Sequence, residues 1–145
     1  MSSKIIVFLR CLAFLIVIFP ILAIAEELEL ICVEDNPENN EHSVYVLYKK
    51  ESTSYAYLDG KKHGFGIDSW EYEQISENQR NVYSAYYGSD ELIFWKEYQT
   101  FDKGLWESIN QERFHINRIT GNFKVNKNER LLTKGECHVG RVKKL

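Results

Sequence analysis

The chain has 145 residues, of which 44% are hydrophobic and 14% aromatic, with 18 basic residues against 21 acidic ones and a formal charge of −3. That length carries one small domain, with room for a real core and little surplus. The acidic balance and the lack of a basic stripe exclude a nonspecific nucleic-acid binder and a binder of anionic lipid.

The first 25 residues read as a secretory signal. Lys4 and Arg10 form the positive end, Cys11 to Phe19 is an unbroken apolar run, and Pro20 ends it. Ala23-Ile24-Ala25 is a small-x-small cleavage site. This three-part pattern predicts a signal helix removed after Ala25. Only 15 residues lie between Arg10 and Glu26, short of the roughly 20 that a membrane-spanning helix needs. An uncleaved anchor is therefore the weaker alternative, and no stable membrane anchor is expected after cleavage. Residues 26–145 then form a single β domain, exported to the periplasm or beyond. Both Lys4 and Arg10 leave with the signal while every acid stays, so 16 basic residues face 21 acidic ones and the formal charge becomes −5. Cys11 leaves too. The remaining pair, Cys32 and Cys137, reads as a disulfide in an exported chain; two buried thiols or an intermolecular link are the alternatives.

In chain order, "LELICV" (Leu28 to Val33) alternates Leu28, Leu30 and Cys32 on one face of a strand. "EDNPENNEH" is an acidic loop, and "SVYVLYKK" is a second strand. Asp59-Gly60 is a strong hairpin signal, because a type I′ turn needs positive φ at both central residues. Gly64 and Gly66 suggest a bulge in the returning strand. "IDSWEYEQI" fits a strand better than the short helix that Asp68 and Glu71 would cap. "SENQRN" reads as a loop, and "VYSAYY" as a strand. "GSDE" turns the chain into "LIFWKEYQTF", and "DKG" turns it again. "LWESIN", "RFHINRI", "NFKV" and "LLTKGECHV" complete the strand pattern. Eight or nine short strands with frequent turns predict an all-β antiparallel meander. The expected form is an eight-stranded barrel, closed or nearly closed, because closure removes the open edges that invite aggregation. A sandwich is the alternative. A bridge from the first strand to the last favours closure.

Sites of chemistry are sparse in this pattern. The histidines at 42, 63, 115 and 138 have no zincin spacing, and there is no CxxC. No Gly-x-Ser-x-Gly elbow is present. Asp68 with Glu71, or Glu107 with Glu112, are carboxylate pairs that spacing alone does not single out. No catalytic, metal or cofactor residue is therefore assigned. The aromatics read first as core, with a second role as groove lining for Trp70, Tyr83, Tyr86, Tyr87, Trp95 and Trp106. Along Leu92 to Tyr98, Ile93, Trp95 and Glu97 share one face and Phe94, Lys96 and Tyr98 the other. Arg118 shares a face with Phe114 and Ile116; it is expected to lay its stem on the core and send its guanidinium to the rim. Ligand contact is its second role. The candidate contact set is Arg118, Tyr86, Tyr87 and Trp95.

"INRITG" (Ile116 to Gly121), followed by "GEC" (Gly135 to Cys137) and a basic finish, resembles a group of small exported bacterial proteins. These share a signal peptide, an early cysteine, an Ile-Asn/Asp-Arg-x-Thr-Gly segment and a late Gly-x-Cys. The resemblance implies export and no particular activity. A more distant likeness is to the periplasmic inhibitors of C-type lysozyme, which implies a small disulfide-tied barrel. Their Ser-Gly-x-x-Tyr and Trp-x-Lys-Gly segments are not matched: in "GSDELIFWKE" Gly88-Ser89 stand in reverse order and Trp95-Lys96 are adjacent. The likeness therefore extends to fold alone. The expectation is an exported, monomeric, noncatalytic protein that binds a protein or a small molecule. A glycan-acting enzyme with paired carboxylates and a purely structural envelope protein are the alternatives.

Overall fold

Alternation along the chain becomes curvature in the computed structural model, which describes residues 25–49, 54–65 and 70–144. The expected signal helix lies outside the described residues, as do Gly66 and Asp68. Ten strands follow in order: β1 (Ala25–Glu34), β2 (Glu41–Lys49), β3 (Tyr55–Leu58), β4 (Lys61–Phe65), β5 (Glu71–Ser76), β6 (Gln79–Tyr87), β7 (Glu91–Asp102), β8 (Leu105–Asn117), β9 (Asn122–Lys127) and β10 (Arg130–Lys144). Their order in the sheet is β4-β3-β2-β1-β10-β9-β8-β7-β6-β5, and β4 also pairs with β6. The barrel is therefore closed by nine strands, one more than the eight expected, with β5 as an additional strand.

The closing seam explains the extra strand. β6 gives the edge of its first half to β5, from Gln79 to Tyr83. The next two residues, Ser84 and Ala85, pair in parallel with Gly64 and Phe65 of β4. All other pairings are antiparallel. The β3–β4 ladder runs without a register shift and ends at His63; Gly64 is the first residue that pairs with β6.

The turns follow their chemistry. Asp59 and Gly60 have φ of 51° and 75°, as the hairpin signal requires. Lys103-Gly104 and Asn128-Glu129 also take positive φ at both positions, the latter without a glycine. The expected loop "SENQRN" is a tighter turn, and so is the polar stretch between β9 and β10. Glu77-Asn78 alone separates β5 from β6, and Asn128-Glu129 alone separates β9 from β10, because the flanking polar residues pair as strand ends.

The core is the inward face of these strands. Leu28, Leu30 and Cys32 of β1 meet Val44 and Val46 of β2, with Leu92 and Phe94 of β7 and Phe114 and Ile116 of β8. Phe114 stacks on Phe123 at 4.9 Å between ring centroids and meets Phe94 edge-on at 6.4 Å. Cys32 lies directly opposite Cys137 on β10, and their sulfurs are bonded at 2.04 Å. The bridge thus joins the first strand to the last.

Each end of the apolar interior finishes in a polar cap. Glu26 and Glu34, eight residues apart on the inward face of β1, stand about 26 Å from each other at strand rise. At the Glu34 end, His42 sits edge-on to Phe114 and Phe123. Its Nε2 lies 3.1 Å from Glu34 Oε1 and its Nδ1 lies 2.8 Å from Asp59 Oδ2. The Asn36 amide also donates to Glu34. At the Glu26 end, Arg118, Tyr87 and Tyr48 close the barrel.

Candidate functional site

Alternation that fills the interior also decides what faces out. Across β6 and β7, Arg80 lies opposite Gln99, Val82 opposite Glu97, Ser84 opposite Trp95, and Tyr86 opposite Ile93. Across β7 and β8, Trp95 lies opposite Arg113 and Glu97 opposite Gln111. These rows face away from Ala85, Phe94 and Phe114, which belong to the core. Tyr72 of β5 extends the same face beside Val82, and Trp106 extends it beside Phe101, with ring centroids 5.2 Å apart.

The expectation that the aromatics fill the core holds for Tyr83, which is buried, and for Tyr87, which packs against the core, and is corrected for the tryptophans: Phe94, Phe114 and Phe123 fill the centre, whereas Trp70, Trp95 and Trp106 lie on the exterior. The physical reason is size and phase. The narrow interior takes Phe94, Phe114 and Phe123, while Trp95 is one residue out of step with Phe94 and so points the other way. Trp70 is 48% exposed and Tyr86 49%. Val82 and Ile93 are only 4% exposed although they lie outside the core, so the larger outward side chains shield them from water.

At the centre of the face is a concavity of about 350 Å³, lined by Trp70, Ser84, Ala85, Tyr86, Trp95, Glu97 and Gln111. Its polar groups are already fixed. The Gln111 amide donates to Glu97 Oε1 at 3.1 Å, and the Gln99 amide donates to Glu97 Oε2 at 3.1 Å. Arg80 Nε donates to Gln99 Oε1 at 2.9 Å, and its guanidinium stacks on Trp106, 4.1 Å from the ring centroid. Beside Trp95, the Arg113 guanidinium carbon stands 5.9 Å from the ring centroid. Arg113 has no acidic partner among the described residues, and its buried Nε has no hydrogen-bond acceptor. Along β7 the polar groups Glu97 and Gln99, with Gln111 and Arg80 beside them, lie between Trp95 at one end and Phe101 with Trp106 at the other.

The four expected contact residues fall into two places. Tyr86 and Trp95 line this outer concavity. Tyr87 and Arg118 belong to the barrel end. The Arg118 Nη1 donates to the carbonyls of Gly88 and, at 3.3 Å, Ser89. Its Nη2 donates to Tyr87 Oη at 2.7 Å and Glu26 Oε1 at 3.1 Å. The guanidinium also stacks over the Tyr87 ring at 4.2 Å. Burial and the Glu26 carboxylate push the Tyr87 hydroxyl pKa well up, against the opposing charge of Arg118. This cluster spends the arginine's donors on the protein itself. Sequence reasoning did not reach Arg80, Gln99, Gln111 or Arg113 as members of the outer face. The shared face of Ile93, Trp95 and Glu97 was the signal available, and strand pairing supplied their neighbours.

Other titratable groups are occupied elsewhere. His63 is buried between Tyr83 and Phe94, with centroids 5.3 and 5.0 Å away. Its Nδ1 donates to the Lys61 carbonyl at 2.9 Å, and burial pushes its pKa down to about 4. Glu71 pairs with Lys62, and Glu73 pairs with Lys61 at 2.8 Å. Among the described residues, no three of His, Cys, Asp and Glu are grouped to hold a metal ion.

No protein-family model, curated protein or solved structure matches the chain.

Proposed function

We propose that this is an exported, noncatalytic binding protein whose ligand or partner lies on the outer face of β5 to β8. The observation that carries the reading is the position of the tryptophans. Keeping Trp70 and Tyr86 half in water, with Trp95 partly exposed between the strands, forgoes burial that an aromatic side chain would otherwise contribute to folding. They surround a concavity whose Glu97 carboxylate is held from both sides by amides. Preorganised polar groups among exposed rings are the composition of a recognition site. Glu97 has no second carboxylate beside it in that concavity, which favours binding over acid–base hydrolysis. Export is supported by the signal pattern of residues 1–25 and by the Cys32–Cys137 bridge. The apolar side chains point inward, the reverse of a barrel that faces lipid.

The test is an oxidation footprint of the domain with and without an extract of the host's envelope. Trp70, Trp95 and Tyr86 are expected to be protected, and the protection to vanish in a Trp95→Ala, Tyr86→Ala variant. Protection confined to the Arg118 end, or none at all, would sink the reading.

A further inference from the structure

We propose that the free edge of β10 is a second docking site, separate from the outer face. It takes an extended peptide segment of a partner and seats one apolar side chain of that segment in a cavity under the edge. Three features of the Arg118 end carry this.

The first is backbone without a neighbour. On one side β10 pairs with β1 as far as Lys144, with a register shift at Gly140. On the other side its ladder with β9 ends at Glu136, opposite Asn122. The Cys137 amide then donates to the Gly121 carbonyl at 2.7 Å. Among the described residues, nothing pairs with β10 beyond that bond on this side. The cause is the length of the β8–β9 hairpin. It turns over residues 118–121, where Gly121 takes a φ of 77°, while β1 and β10 run on past its tip. A peptide antiparallel to β10 would occupy the line that a longer β9 would have filled.

The second is a cavity of about 190 Å³ beneath the edge, bounded by Leu28, Leu30, Ile116, Arg118 and Val139. Leu28, Leu30 and Ile116 belong to the core, so the cavity is an opening through the barrel wall. Val139 lies opposite Leu30 and lines this space, yet it is 62% exposed. With no strand beside it, an apolar side chain of the cavity wall meets water. Arg118 and Glu26 at the wall are bonded to each other, which leaves the space to apolar contact. Apolar cavities of about 150 Å³ hold a benzene ring, so this one has room for a leucine or phenylalanine side chain.

The third is that edge and cavity lie together. In strand addition, main-chain bonds supply affinity and pockets under alternate side chains supply selectivity. A free apolar molecule would fill the cavity and leave the edge unpaired. The other open edges differ. Along β5, Glu71 and Glu73 are ion-paired to Lys62 and Lys61. Residues 105–110 of β8 end at a concavity lined by Lys96, Glu112 and Lys127, where charge replaces an apolar seat.

The experiment titrates the domain with blocked heptapeptides of serine and threonine that carry leucine, phenylalanine, alanine or aspartate at the centre. Amide NMR shifts and hydrogen exchange over residues 138–144 supply the readout. The leucine or phenylalanine peptide is expected to bind at least about tenfold more tightly than the alanine one, and the aspartate peptide not at all. Binding should slow exchange in β10 and leave Trp95 and Tyr86 unmoved. N-methylating every second peptide amide should abolish binding in one phase and spare it in the other. Val139→Asp should weaken binding by about tenfold or more, with thermal unfolding little changed, whereas Val139→Ile should retain it. No binding by any peptide, or equal binding of the alanine and leucine peptides, overturns the proposal. Binding that survives N-methylation in both phases also overturns it, since a side chain would then use the cavity without the edge. Dimerisation that protects the same amides overturns it too, by making the occupant a second copy.

Discussion

Arg118 Nη2 donates to Glu26 Oε1 at 3.1 Å across 92 residues of chain, tying the end of β8 to the start of β1. The same guanidinium holds the β6–β7 turn through the Gly88 and Ser89 carbonyls and holds the Tyr87 hydroxyl. Arg118→Ala would leave the partly buried Glu26 carboxylate without its cation and two turn carbonyls without a donor. We expect a loss of about 2–4 kcal/mol in denaturant unfolding, with less recovered by Lys than by any group able to fork between acceptors. Ligand binding on the outer face should be unchanged for the folded fraction. Unaltered stability would show that the barrel end closes without this residue.

Gly135 sits on β10 opposite Glu34 of β1 and Phe123 of β9. A Cβ there would overlap the Val33 carbonyl oxygen and lie 2.6 Å from Phe123 Cε1. The backbone oxygen is held in the ladder and cannot step aside as a flexible side chain would. Gly135→Ala is therefore expected to cost about 3 kcal/mol, the upper range for overpacking. A variant that melts within a degree or so of the parent would contradict this packing.

The Cys32–Cys137 bridge spans 105 positions in the chain. In the chain-entropy model such a loop stabilises by about 4–5 kcal/mol. The paired Cys→Ser variant, or the protein under reducing conditions, should unfold at a denaturant midpoint lowered accordingly. A small change would mean that the β1–β10 ladder holds the closure almost alone.

Two histidines give stability opposite slopes with pH. Burial pushes the His63 pKa down to about 4, while the unfolded chain binds its proton at the ordinary histidine value of about 6.5. Stability from this group is full above about 6.5 and falls as pH drops toward 4, by an amount on the order of 3 kcal/mol. Burial also works to lower the His42 pKa, but its hydrogen bonds to Asp59 and Glu34 outweigh this and the net shift is upward. Its contribution is full below its unfolded pKa and is lost as pH rises through the raised folded value. Glu34 is opposed by burial, yet its bonds from His42, Asn40 and Asn36 bring its pKa below normal, so it adds to the loss on the acid side. The thermal midpoint should therefore peak near pH 6–7. His42→Gln should flatten the alkaline limb and His63→Phe the acid one. If either limb persists unchanged in its variant, the assignment of that limb is wrong.

Much of the fold is legible in the residues themselves. Leu28, Leu30 and Cys32 alternate, Asp59-Gly60 demands a tight hairpin, and two cysteines near the ends of the domain call for a bridge. These are local rules of period and turn geometry, and they led to an all-β meander closed by its terminal strands. They did not supply the ninth barrel strand or the parallel β4–β6 seam. Which strand shares the edge of β6 is decided by where β5 begins, at Glu71 opposite Tyr83, and by where β4 arrives, at Gly64 opposite Ser84, which is a relation between distant residues.

The candidate site divides in the same way. Sequence alternation placed Ile93, Trp95 and Glu97 on one face and Phe94 on the other, but period two does not say which face is inside. Only closure of the barrel chose Phe94 for the interior, because the nine inward faces had to fill a narrow space together. That choice turned Trp95 outward, brought Gln111 and Gln99 to Glu97 across neighbouring strands, and carried Arg118 to Glu26 at the barrel end. The sequence by itself determined the strands, their turns and the cysteine pair, since each follows from contacts along a few residues. The tertiary structure alone decided which aromatics meet water, since that depends on which strands become neighbours.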